Sequence, residues 1–196
     1  MKKKLFGTIL AAALVVTQAI SVFAAGSKTA ETALAGDSVG KFSVQEISAE
    51  SMPELAESAP EVLDKILAVN AGTATVESIA EVAPELADQL EGKSLVSKFI
   101  DVTPGENAVK TEDGKYQVTL SVPGLTAAAS DVAVLHYSTE RSVWEIITPS
   151  NADVQNKEIT AEFQDLSPVA VIAKVDAASA ADNAAGTAPK TGVASN

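Results

Sequence analysis

The chain has no cysteine, one histidine and one tryptophan among its 196 residues. Without thiols there is no disulfide framework, no thiolate nucleophile and no cysteine-based zinc site, so the fold must be held by its core alone. The single histidine, His136, sits mid-strand in "VAVLHYST" on the face of Val132 and Val134. No G-x-S-x-G elbow accompanies it, so pairing with a cross-strand neighbour is the expectation and a catalytic base the lesser reading. Zinc chemistry is equally short of ligands. Aromatics beyond the leader are Phe42, Phe99, Tyr116, Tyr137, Trp144 and Phe163. That is too few to line a sugar cleft for a two-carboxylate glycosidase while also filling a core.

Basic residues are scarce as well: 14 against 26 acidic ones, for a formal net charge of −12. Three of the lysines, Lys2, Lys3 and Lys4, open the chain ahead of an apolar run from Leu5 to about Phe23 that closes on small residues. This is the layout of a secretory signal peptide over residues 1–24, with cleavage after Ala24 or, alternatively, Ala25. Its removal would leave 11 basic residues and a still more acidic chain. Such a chain repels phosphate backbones and anionic lipid, which disfavours nucleic acid as a partner. No later stretch approaches the roughly 18 apolar residues that span a bilayer, so the mature chain is expected to be soluble.

Composition then divides the remainder. Residues 25–41 are small and polar and are expected to form a flexible leader; residues 176–196 are an Ala/Ser/Gly/Asn spacer expected to be disordered. Residues 42–93 are expected to be helical. Leu55, Ala59, Val62, Ile66 and Val69 fall at helical spacing, Ser51 with Pro53 and Glu54 resembles a capping box, and Pro60 divides the segment. The stretch repeats: Ala56, Glu57, Ala59, Pro60, Glu61 and Asp64 recur 24 residues later as Ala80, Glu81, Ala83, Pro84, Glu85 and Asp88. Two copies of one helical unit are implied. Glu57, Glu61, Glu81 and Glu85 are first-turn acids of the ordinary kind rather than a ligand or catalytic set.

From Ser94 to Val175 the period becomes alternating. "SLVSKFIDVTP", a short "NAVK", "GKYQVTLSVPG", "DVAVLHYS", "SVWEIITP", "KEITAEFQ" and "SPVAVIAKV" read as about seven short strands, with turns at "EDGK" and "TERS". The expected class is α+β, an antiparallel β-sandwich preceded by two short helical units. Its core is Val118, Leu120, Val122, Val134, Trp144, Ile146, Ile159, Phe163, Val169 and Val171. In "NADVQNKE", Asn151, Asp153 and Asn156 are turn formers before they are calcium ligands.

"APKTG", residues Ala188, Pro189, Lys190, Thr191 and Gly192, resembles the LPxTG sortase signal of Gram-positive surface proteins, with Ala188 in the place of the usual leucine. The family carries an apolar span and a basic tail downstream, whereas this sequence stops at Asn196. The β half, notably "YQVTLSVPGLT" and "VAVLHYSTERSVWEII", is similar to small secreted sandwich modules in surface proteins of anaerobic Gram-positive bacteria. The resemblance implies a stalk, spacer or binding head without enzymatic activity, and sortase and peptidoglycan as partners where the full-length chain carries an anchor. Such modules can carry Lys–Asn isopeptide bonds, for which Lys98, Lys110 or Lys115 would supply the amine. No catalytic residue, cofactor or metal ligand is assigned. The expectation is a secreted or wall-associated module with an extracellular protein or host ligand. The alternatives are an extracellular hydrolase using Glu140, Glu145 or Asp131 near His136, and a calcium-dependent adhesive domain.

Overall fold

Alternating apolar residues build two antiparallel sheets in the computed structural model, which describes residues 31–175. The smaller sheet has the order β1 (Ala33–Leu34), β5 (Tyr116–Ser121), β9 (Glu158–Phe163), β8 (Asn151–Asp153). The larger runs β2 (Phe42–Glu46), β4 (Ile100–Pro104), β10 (Val169–Val175), β6 (Ala129–Ser138), β7 (Val143–Ile147), with β3 (Lys93–Leu95) beside β4 on the same flank of β10. Between the sheets lie Val118, Leu120, Val122, Ile159, Phe163, Val134, Val169 and Val171, a sandwich core as the alternation predicts.

The larger sheet has a second apolar face. Ala133, Leu135 and Tyr137 of β6, Ala170 and Ile172 of β10 and Trp144 of β7 point the other way, into a core shared with the helical segment. The result is three layers: helices, central sheet, outer sheet. A strand buried on both faces reads as an unbroken apolar run, which explains "VAVLHY" and "VAVIA". It also corrects the expected core: Trp144 and Ile146 pack against the helices and not between the sheets.

The helical layer preserves the repeat. Copy one is α1 (Pro53–Ser58) and α2 (Pro60–Asn70); copy two is a 3-10 turn at Val76–Glu81, another at Pro84–Leu86, and α3 (Ala87–Leu90). Ala59 and Ala83 precede the equivalent prolines with nearly the same backbone, φ −146° and ψ 64° against φ −144° and ψ 69°. Proline bars its predecessor from the α region, so both units break at the same place. Each of those alanines donates its N–H one turn back, to Leu55 and Ile79 respectively. Ile66 and Leu90, equivalent in the repeat, are both fully buried. Ile66→Ala and Leu90→Ala are each expected to cost about 2–5 kcal/mol; in urea denaturation, a neutral Leu90→Ala would show that the second copy is not packed as the first is.

Five expectations are corrected. Residues 31–41 are not a flexible leader: β1 pairs with β5, and the buried Ser38 hydroxyl accepts the Thr119 N–H at 2.8 Å. The region 42–93 opens with a strand, because β2 pairs with β4 along five residues. Ser51 caps no helix; its hydroxyl accepts the Ser48 N–H and donates to the Glu46 carbonyl, closing a turn before α1. "NAVK" forms no strand, although the "EDGK" turn is present, closed by the Thr111 N–H donating to the Lys115 carbonyl and by Gly114 at φ +75°. The described residues contain ten strands, since "SLVSKFIDVTP" divides into β3 and β4 and β1, β2 and β8 are added.

Lys93, at the repeat position of Val69, is buried, and its ammonium lies 2.7 Å from Asp131 Oδ2 while donating to the Asp131 carbonyl. Lys93 holds the Asp131 carboxyl below its usual value, first by the hydrogen bond and then by its charge. A carboxyl with a depressed folded pKa contributes stability above its unfolded pKa of about 4, and that contribution is lost as the pH falls through the folded value. Asp131→Asn should therefore lower the melting temperature at pH 7 and converge with the wild type in acid. A constant gap down to pH 2 would contradict this.

Candidate functional site

The β6–β7 hairpin brings the chemically active side chains together. Its turn, Thr139 to Ser142, is the expected "TERS", and the register sets His136 opposite Glu145. His136 is completely buried, with its ring edge-on to Phe163 at 5.6 Å between centroids. His136 Nδ1 lies 3.2 Å from Glu145 Oε2, and its Nε2 lies 3.5 Å from Asp165 Oδ1 in the β9–β10 loop without a hydrogen bond. Arg141 closes the ring of charges. It donates to both Glu145 oxygens at 2.6 and 2.7 Å and to Asp165 Oδ1 at 3.4 Å. The buried Ser138 hydroxyl donates to Asp165 Oδ2 and accepts the Arg141 N–H at 3.0 Å.

The electrostatics follow from burial and pairing. Burial pushes His136 below the ordinary imidazole value, against the opposing pull of Glu145 and Asp165. Arg141 holds the Glu145 carboxyl down, and that pair in turn raises the guanidinium. His136, Glu145 and Asp165 each offer a ligand atom within 4.8 Å of the others. Of the acids expected near His136, only Glu145 is there: Asp131 pairs with Lys93, and Glu140 lies in the hairpin turn outside the cluster. Asp165 escaped sequence reasoning because it stands 27 residues beyond Ser138 in a loop with no spacing signature.

A second feature lies on the helical side. A cleft of about 430 Å³ runs between the repeat units and the hairpin, lined by Glu61, Glu85, Val62, Val82, Tyr137 and Trp144 among others. Glu61 and Glu85 are equivalent in the repeat, so the duplication sets two exposed carboxylates at one opening, with no basic residue lining it. Tyr137 and Trp144 meet edge-to-face at 5.2 Å, and the Trp144 indole N–H is buried without an acceptor. The other two acids of the set are elsewhere: Glu57 is exposed on α1, and Glu81 pairs with Lys65 at 2.8 Å. A larger hollow of about 740 Å³ between β2, α2 and the β3–β4 link carries both signs of charge, including Glu31, Glu46, Lys98 and Lys157.

The remaining sequence candidates are placed as follows. Both Asp153 oxygens are used within their own turn, accepting from the backbone N–H groups of Gln155 and Asn156 and from the Asn156 side chain, which depresses the carboxyl. Asp153 and Asn156 are thus turn formers, while Asn151 pairs with Thr160 in β8. Lys110 sits over the Tyr116 ring and Lys115 faces Glu162, while Lys98 is exposed beside the larger hollow. The cleavage positions Ala24 and Ala25 and the motif Ala188, Pro189, Lys190, Thr191 and Gly192 lie outside the described residues. No helix among the described residues is long and apolar enough to cross a membrane.

The fold is of the α+β class, a β-sandwich with a helical layer on its central sheet. Comparison with protein-family models, with curated proteins and with solved structures finds no match.

Proposed function

We propose that the protein is a non-enzymatic extracellular or cell-wall-associated module with a structural or adhesive role, engaging a basic partner protein through the cleft of its helical layer. The carrying observation is the pair Glu61 and Glu85, set by the repeat at the mouth of a cleft that Tyr137 and Trp144 line and no basic side chain enters. A lysine or arginine side chain between the two carboxylates would satisfy their charge, while the aromatic wall takes its methylene stem. The leader-like residues 1–24 and the sortase-like "APKTG" support placement outside the cell, with sortase and peptidoglycan as partners of a wall-anchored form.

The hydrolase alternative would start from His136 and Glu145. Against it stand the complete burial of His136 and the occupation of both Glu145 oxygens by Arg141. The calcium-dependent alternative predicts a rise in melting temperature at millimolar calcium.

Titration calorimetry with a synthetic pentalysine peptide tests the cleft. Glu61→Gln with Glu85→Gln should weaken binding about tenfold at low ionic strength, consistent with about 0.2–1 kcal/mol for each exposed pair, and the difference should shrink in 0.5 M salt, where the Debye length falls to about 4 Å. Glu57→Gln with Glu81→Gln removes the same charge outside the cleft and should leave affinity nearly unchanged. Equal losses in both double variants would reduce the effect to net charge and remove the cleft from the account.

A further inference from the structure

The central sheet ends at β7 with an open edge. β6 beside it is buried from Ala133 to Ser138, whereas in β7 Val143 is exposed and Glu145, Ile146 and Ile147 are half-buried. One hydrogen bond fixes the direction of the backbone groups. The Tyr137 N–H donates to the Pro168 carbonyl at 3.1 Å, on the β10 side of β6, so it points away from β7. Tyr137 and Trp144 are therefore a non-hydrogen-bonded pair of the antiparallel ladder, in which the two kinds of pair alternate. His136 with Glu145 exchanges the bonds, and the backbone N–H and C=O of Trp144 and Ile146 turn outward. Among the described residues no backbone group outside the ladder bonds to them.

Sheets guard such an edge by shortness, lysine, proline or a bulge. The edge strands of the outer sheet, β1 and β8, have two and three residues. β7 has five, with an unbroken register and neither lysine nor proline. The opposite edge of the central sheet, β2, is as long but borders the hollow that carries both signs of charge.

We propose that the partner of the acidic cleft binds as an added β-strand, an extended basic segment lying antiparallel along β7 and hydrogen-bonded to the backbone of Trp144 and Ile146. This rests on the cleft being the partner's site, and gives it a binding mode. Ser142, Val143 and Trp144 line the cleft together with Glu61 and Glu85, so the open edge and the two acids share one mouth. Side chains of an added strand alternate between the faces of the sheet. Those opposite Trp144 and Ile146 share their face, toward the helical layer and its carboxylates. The residue opposite Glu145 turns to the other face, where Arg141 already occupies that carboxylate. The segment so defined carries a lysine or arginine opposite Trp144, flanked by uncharged β-formers. Backbone hydrogen bonds supply its affinity, and Glu61 and Glu85 select its side chain. Every strand pair in both sheets is antiparallel, and the added strand continues that pattern.

The probe is an acetylated and amidated heptapeptide, "TVTKTVT", titrated into the full chain. Methylating its two inward backbone nitrogens, those of the lysine and of the valine opposite Ile146, should weaken binding about tenfold or more, because each loses a hydrogen bond. Methylating the two threonine nitrogens beside the lysine, which point to solvent, should leave affinity nearly unchanged. In hydrogen exchange, the Trp144 and Ile146 backbone amides should slow about tenfold when the peptide saturates the protein. Failure of the unmethylated peptide to bind, equal affinity of the two methylated peptides, or unaltered exchange at both amides would each overturn strand addition. If pentalysine binding still depends on Glu61 and Glu85 in that case, the cleft stands without it; if that dependence is absent, both fall. A dimer of the chain alone that the peptide dissociates would give the edge to a second copy and would also overturn the proposal.

Discussion

Replacing Trp144 by alanine is expected to destabilise the protein by about 3–5 kcal/mol, the usual cost of deleting a large buried aromatic side chain. Trp144 is the hinge between layers: its ring meets Phe99 at 5.8 Å and Tyr137 at 5.2 Å, and it belongs to the core that the central sheet shares with the helices. Trp144→Phe should cost much less. It loses ring volume but also removes an indole N–H that is buried without an acceptor, and an unsatisfied donor of that kind is worth about 1–3 kcal/mol against the fold. Urea midpoints of the two variants measure the difference. Equal losses would mean that the indole N–H is satisfied in the folded protein and that its removal, not the lost ring volume, sets the cost.

Gly124→Ala is the second large effect. An added Cβ would stand 2.3 Å from the Val96 carbonyl oxygen, which is backbone and has no rotamer to retreat into. Val96 is itself tied to β10, its N–H donating to the Val171 carbonyl at 2.8 Å. The clash therefore pushes on the central sheet, and overpacking of this kind costs about 1–3 kcal/mol or more. Gly114→Ala is the control: its φ of +75° strains any side chain, but a Cβ there meets nothing within 4 Å. A Gly124→Ala variant as stable as the wild type would show that the "VPGLT" turn and the β3–β4 link do not pack as described.

Much of the architecture was legible where local chemistry and tertiary need agree. Tyr116 to Ser121 alternates and is a strand with Val118 and Leu120 inward. "TERS" is the hairpin turn, and the repeated Ala-Pro step breaks both helical units with one backbone geometry. What failed was information that only the fold supplies. Ala33 and Leu34 lack strand propensity and are held by β5 and by Ser38. Trp144 sits on a strand whose two faces are both buried, so periodicity marks it as core without saying which core. Glu61 and Glu85 read as first-turn acids, and only the packing of the two copies against β7 joins them at one cleft. Asp165 has no neighbour in sequence that announces a partner for His136.

The proposal that this is an exported surface module is tested by mass spectrometry of its terminal peptides in cytoplasm, culture supernatant and muramidase-solubilised wall. A chain beginning at Ala25 or Gly26 is expected outside the cytoplasm, with the wall-bound fraction ending at Thr191 joined to a peptidoglycan fragment. A chain beginning at Met1 and confined to the cytoplasm would contradict it.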